Sequence, residues 1–382
     1  MHAVITAGLV STITLFSPPE KPLTPERIQE LVKKLEETGR PGLPHGLNWS
    51  SPASFDLGRA GPEAIPQLVT VFNDTRNSSL VRAGVAIALA HHLDGFFTVP
   101  DTLVLAAVRA AMRDKDPTVR YGILVSSINW CRNYQHEPNF LNLRKDNPDL
   151  PSLYAITFRA STFRTLLPDF AAAVADPNPD IAQLAATRLG YFGEPGIGAP
   201  ELLAALKRKE KVVRRAAITA LGKVGRDDPD ALKAVLELMD SKDDLDIYNA
   251  AIFAVGGFGP KAKAAVPKLI EAVKDKRGER RFNPFGPQPS TPESHKTAVV
   301  SLGQIGPDAK AAVPLMLAHL QDPLIKSDRS HVEDTIEALE RIDPQAGTKA
   351  RAIKQKWEDD FRKLYNPPRL IVPGIPSYPE RP

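Results

Sequence analysis

Sulfur is scarce in this chain, which has one cysteine, Cys131, and four methionines among 382 residues. A lone thiol excludes an internal disulfide and any zinc or redox site built from several cysteines. On a helix face it reads as buried packing. A large charge excess is missing too, because 49 Lys and Arg stand against 45 Asp and Glu, a net +4. Tryptophan is rare, and of the three only Trp130 falls within a repeated helical pattern. Nucleic-acid binding needs a basic face and rows of stacking aromatics, so that partner class is disfavoured. The one uncharged apolar run is Ala3 to Phe16, too short and too rich in Ser and Thr for a membrane-spanning helix. Within residues 1–20 it reads as an export signal or degenerate anchor, which favours a location outside the cytoplasm. The competing reading is a capping helix of a cytoplasmic protein, since no Lys or Arg precedes the run and no small-x-small cleavage site follows it. Membrane contact is confined to that segment.

Catalytic apparatus is absent as well. The eight histidines are His2, His45, His91, His92, His136, His295, His319 and His331. His91 and His92 are neighbours on a helix, so they point in different directions and cannot chelate as an i, i+4 pair would. Serines and carboxylates are scattered without a nucleophile motif. No catalytic, cofactor-binding or metal-ligating residue is assigned, and no cofactor is implied.

What the chain does have is a phrase that returns at helix ends. It reads Leu57-Gly58-Arg59-Ala60-Gly61-Pro62, Leu189-Gly190-Tyr191-Phe192-Gly193, Leu221-Gly222-Lys223-Val224-Gly225, Val255-Gly256-Gly257-Phe258-Gly259-Pro260 and Leu302-Gly303-Gln304-Ile305-Gly306-Pro307. The closing glycines are 132, 32, 34 and 47 residues apart, and a period in the low thirties marks stacked helix pairs. The closing glycine suits a left-handed residue that ends a helix. The earlier glycine lies inside the helix and costs about 1 kcal/mol against alanine, which is tolerable where a neighbouring helix approaches closely.

The periodicity predicts pairs over 62–72 with 79–93, 102–112 with 117–130, 151–174 with 179–191, and 198–207 with 211–224. Further pairs run over 229–239 with 245–255, 262–274 with 292–305, and 308–321 with 327–342. In 211–224, Val213, Ala216, Ala217, Ala220, Leu221 and Val224 form one stripe, with Lys211, Arg215, Thr219 and Lys223 opposite. A single pair cannot bury its own apolar face, so the stack supplies the core and its ends need caps. Residues 25–38 and 345–365 are the expected caps.

The Leu-Gly-x-Val-Gly phrase, Ile65-Pro66-Gln67-Leu68, Val266-Pro267-Lys268-Leu269 and Val313-Pro314-Leu315 after it, and the Val-Arg steps Val81-Arg82, Val119-Arg120 and Val213-Arg214 together resemble the HEAT-repeat family, in particular the short bacterial repeats of phycobilisome lyases. The resemblance covers about residues 57–342. It implies an all-α, right-handed α-solenoid of about seven HEAT-type pairs. The expected layout is a cap and linker over 21–56, the array over 57–343, a second cap over 344–365, and an extended Pro-rich tail over 366–382. The family holds scaffolds, adaptors and a few enzymes. Its di-iron hydroxylases repeat a His-Glu dipeptide that occurs here once, as His136-Glu137. Nothing positive points to a chromophore lyase.

Binding is the function that remains. Arg82, Arg120 and Arg214 hold equivalent positions and are expected to pair with acidic residues at neighbouring caps. From Glu201 to Gly225 seven basic residues face two acidic ones. The segments 41–55, 133–150 and 276–292 interrupt the repeat, and the last carries Arg277, Arg280, Arg281 and Phe282. The expected contacts with a protein partner, acidic in character, are Lys207, Lys209, Lys211, Arg215, Arg277, Arg280, Arg281 and Phe282. The expected protein is a non-catalytic interaction scaffold that binds its partner on the surface lined by the second helices, with an enzyme or chromophore-lyase-like protein as the alternative and a nucleic-acid-binding HEAT protein third.

Overall fold

The computed structural model describes residues 23–38, 52–94, 102–126, 164–192, 194–241, 244–275, 293–326 and 328–365. Among them the fold is an all-α solenoid of helix pairs, with no strand. None of the described helices is long and apolar enough to cross a membrane. The chain forms two compact units, residues 1–254 and 255–382.

The first unit holds α1 (Pro25–Thr38), α2 (Pro52–Gly58), α3 (Ile65–Asn73), α4 (Ser79–Asp94), α5 (Thr102–Met112), α6 (Pro117–Ser126), α7 (Leu167–Ala173), α8 (Pro179–Phe192), α9 (Ala199–Ala205), α10 (Lys211–Val224), α11 (Pro229–Leu238) and most of α12 (Leu245–Gly257). Each even-numbered helix is the second member of a pair, and successive second helices pack on one another: α2 on α4, α4 on α6, α8 on α10. Their starts follow the chemistry expected of Pro at the first helical position. Asp116 accepts from Thr118 N ahead of α6, and Asp228 accepts from Asp230 N and Ala231 N ahead of α11.

Two expectations for this unit change. Residues 52–55 belong to α2 and not to a linker, because Ala53, Ser54 and Leu57 are buried where α2 packs on α4. α1 and α2 are therefore the first pair of the stack, and α1 is more than a cap. The closing glycine also behaves differently here. Gly61 is extended at φ −63° and Gly225 is at φ −85°. At 225 crowding demands glycine instead, since a Cβ would stand 2.7 Å from both Ala231 Cβ and the Leu221 carbonyl oxygen.

The glycine inside the phrase is explained by close approach. A Cβ on Gly222 would lie 2.6 Å from Ala254 Cα and 2.5 Å from its oxygen, so α10 and α12 meet backbone to backbone. Val213, Ala217 and Leu221 of the same helix are completely sealed from solvent. Burying one leucine contributes roughly 2 kcal/mol, which more than offsets the helix cost of one glycine. Ile218 is buried as well, while Ala216 is only half-buried. The apolar stripe is thus wider than expected, because α8, α9 and α12 enclose α10 on three sides.

The second unit begins within α12 and continues through α13 (Val266–Lys274), α14 (Glu293–Ile305), α15 (Val313–His319), α16 (Pro323–Lys326), α17 (Arg329–Ile342) and α18 (Pro344–Tyr365). α14 packs on α13 and α17, and α17 on α18. Gly259 and Gly306 are left-handed at φ 58° and 78°, as the phrase predicts. Each leads into a 3-10 turn, Gly259–Ala265 and Gly306–Ala312, where the sequence suggested continuous α-helix. Pro267 and Pro314, at the starts of α13 and α15, have no N–H to bond back into the preceding turn, so α-geometry begins only there.

Candidate functional site

The arginine ladder is the most ordered polar feature. Arg82 of α4 pairs with Asp114, in the turn of the next pair, at 2.5 and 3.0 Å. Arg120 of α6 pairs with Asp176 at 2.6 and 3.1 Å and also donates to the carbonyls of Asp114 and Lys115. Arg214 of α10 donates to the carbonyls of Arg208 and Lys209, the same two positions relative to itself. Each carboxylate also orders its own turn, Asp114 accepting from Asp116 N and Asp176 from Asn178 N. Arg82 and Arg120 thus tie one pair to the next, whereas Arg214, expected to meet an acidic residue, braces its own turn instead.

The basic run of 207–215 separates into two groups. Arg208 is tied to Glu210 at 3.0 Å and to the Asp176 carbonyl. Lys211, expected to meet a partner, is held within the chain by Asp246 at 2.6 Å and Asp244 at 2.9 Å. Those hydrogen bonds, Asp246 first, raise the Lys211 pKa above its ordinary value. The pair spans one repeat period, which is the spacing at which Arg82 finds Asp114. Lys207, Lys209 and Arg215 are exposed, and their side chains form no ion pair among the described residues. Arg277, Arg280, Arg281 and Phe282 lie outside the described residues.

A second surface emerges when the phrase is used as a ruler. Gln183, Thr187 and Tyr191 on α8 correspond to Arg215, Thr219 and Lys223 on α10, and to Asn249 and Phe253 on α12. All eight are half-buried or exposed, on helices whose other faces are buried. Tyr191 and Phe253 are large and open, at 45% and 44% exposure. Lys223 Nζ sits 5.8 Å from the Tyr191 ring centroid, and burial lowers its pKa. None of the eight positions carries a carboxylate. Sequence reasoning placed binding on the second-helix surface and counted Arg215 and Lys223 in its basic run, but it did not name Tyr191 or Phe253 as contacts, although the shared offset from the phrase glycine was available to find them.

A third feature lies in the second unit, and sequence reasoning missed it altogether. His295 of α14, His319 of α15 and His331 of α17 meet edge to face, with His295 centroids 4.6 Å from His319 and 4.9 Å from His331. His295 Nε2 and His319 Nδ1 are 2.9 Å apart. His331 is 1% exposed, and among the described residues neither of its ring nitrogens has a hydrogen-bond partner. Among the described residues no group of three or more His, Cys, Asp or Glu is arranged to hold a metal ion.

Residues 167–256, spanning α7 to α12, match the family model for HEAT repeats. Those residues carry HEAT repeats. No curated protein matches it in sequence. Among solved structures, the chain is similar to YibA of Escherichia coli, at 15% identity over 83% of this chain and 98% of that one, with a TM-score of 0.45. It is similar to importin β at 15% identity over 83% of this chain and 41% of that one, TM-score 0.48. It is also similar to the CpcE–CpcF complex of phycocyanin lyase from Nostoc, at 15% identity over 76% and 94%, TM-score 0.35.

Proposed function

We propose that this HEAT solenoid is a non-catalytic scaffold that docks an acidic protein segment across the second-helix surface of α8, α10 and α12. The observation that carries this reading is the composition of that surface, with two cations, Arg215 and Lys223, two open aromatics, Tyr191 and Phe253, and no carboxylate among its eight positions. Aromatic and arginine side chains supply most of the binding energy at protein interfaces, while like charges on one surface select a partner of opposite sign and speed its arrival. Thr187 and Thr219 spend their hydroxyls on the carbonyls of Gln183 and Arg215, so they hold the surface smooth and leave recognition to the cations and rings. Lys207 and Lys209, at the turn ahead of α10, add long-range attraction.

The test is affinity capture from the native source followed by mass spectrometry, with wild-type bait beside an Arg215→Glu/Lys223→Glu bait and a Tyr191→Ala/Phe253→Ala bait. A partner held by the wild type and lost from both variants, with the fold intact, supports the reading. Equal capture by all three baits refutes it.

A further inference from the structure

The histidine cluster is built so that the rings of His295 and His331 stay neutral. It joins three helices of the second unit, and in the one hydrogen bond between rings a nitrogen of His295 or His319 must act as acceptor. Protonating both rings would set two N–H groups against each other. A proton on His331 would place a charge where no acceptor among the described residues reaches either nitrogen.

The surrounding charges offer little relief. Lys296 of α14 and Asp328, ahead of α17, pair with each other at 2.5 Å, and Asp328 also accepts from the His331 backbone N–H. Asp334 on α17 is itself raised in pKa by burial. On α13, Glu271 pairs with Lys274 in the open. On α18, Arg351 and Lys354 face Glu340 and Glu333. Among the described residues neither His295 nor His331 takes part in an ion pair.

We propose that the seam joining α14, α15 and α17 is an acid-sensitive lock, closed while His295 and His331 are neutral and opened when they take up protons. Burial, chiefly, holds their pKa values down, His295 to about 3 with help from His331, His319 and Lys296, and His331 to about 4 although Asp328 draws it upward. Acid then favours the open seam, in which the rings meet water and recover their ordinary affinity for protons. α8 to α12 contain no histidine, so that part of the chain is an internal reference.

The experiment is hydrogen exchange read by mass spectrometry on the full chain at pH 7.5 and 5.0, corrected for intrinsic exchange, with chelator present. Protection over 293–305 and 329–342 is expected to fall at least tenfold at pH 5.0, while protection over 211–224 holds. A His295→Phe/His331→Phe chain should lose most of that drop. If that variant does not fold, ring titration of the wild type by NMR decides. Rings that titrate near the ordinary histidine value in the folded chain would overturn the proposal. So would unchanged protection at pH 5.0, or an equal loss over 211–224.

Discussion

Arg82 and Asp114, 32 residues apart, form a bidentate ion pair in which both side chains are almost sealed from water, at 7% and 9% exposure. Removing one partner strands the other. Asp114→Asn or Arg82→Ala is therefore expected to cost about 3–5 kcal/mol. Replacing both with well-packed apolar residues should cost far less. Denaturant midpoints of the singles and the double settle it. Singles within about 0.5 kcal/mol of wild type would show that the ladder is ornamental.

Gly222→Ala tests the close approach of α10 to α12. At an exposed helix position the substitution would stabilise by up to about 1 kcal/mol. Here the new methyl meets the backbone of Ala254 at 2.5–2.6 Å, and a net loss of about 1–3 kcal/mol is expected from overpacking. Gly303→Ala, facing Ala338 Cα at 2.7 Å, should behave alike. A gain in urea midpoint for either variant contradicts the packing described.

Global stability should depend on acid in a defined direction. His295 and His331 have folded values of about 3 and 4, below the value near 6.5 of an unfolded histidine. The unfolded chain thus binds more protons between those limits. The contribution is full above pH 6.5 and is lost as pH falls towards 4, at about 1.4 kcal/mol per pH unit for each ring. Urea titrations of wild type and His331→Phe at pH 7.5 and 5.0 should show the variant losing less. Parallel losses would assign the acid sensitivity elsewhere.

Charge reversal should divide the basic run. Lys207→Glu, Lys209→Glu and Arg215→Glu are expected to leave stability within about 0.5 kcal/mol each while weakening partner association in a salt-dependent way. Lys211→Glu should lower the thermal midpoint, because it faces Asp244 and Asp246 with like charge. A Lys211 variant as stable as the Lys207 variant contradicts this division.

These contrasts trace what the sequence could convey. The phrase glycines, the Val-Arg ladder and the bounds of α10 follow from spacing, because a repeat turns tertiary contact into a fixed offset along the chain. α2 was hidden by Pro52 and two serines beside it, since its helicity rests on Leu57 packing against α4 and not on local propensity. Lys211 looked free because its carboxylates lie one period away. The histidines left a fainter sign, in that His331 shares a buried stripe with Val332, Thr335, Ile336 and Leu339. Their meeting depends on three helices that no local window contains.

The Arg120–Asp176 rung carries a practical consequence. Its partners are 56 residues apart, against 32 for the rung before it, yet the contact is the same. Register at that step follows the rung and not the number of residues between its partners. An arginine of this ladder has therefore to be matched to its carboxylate by its place in the stack, and a search at one fixed offset along the chain would miss the second rung.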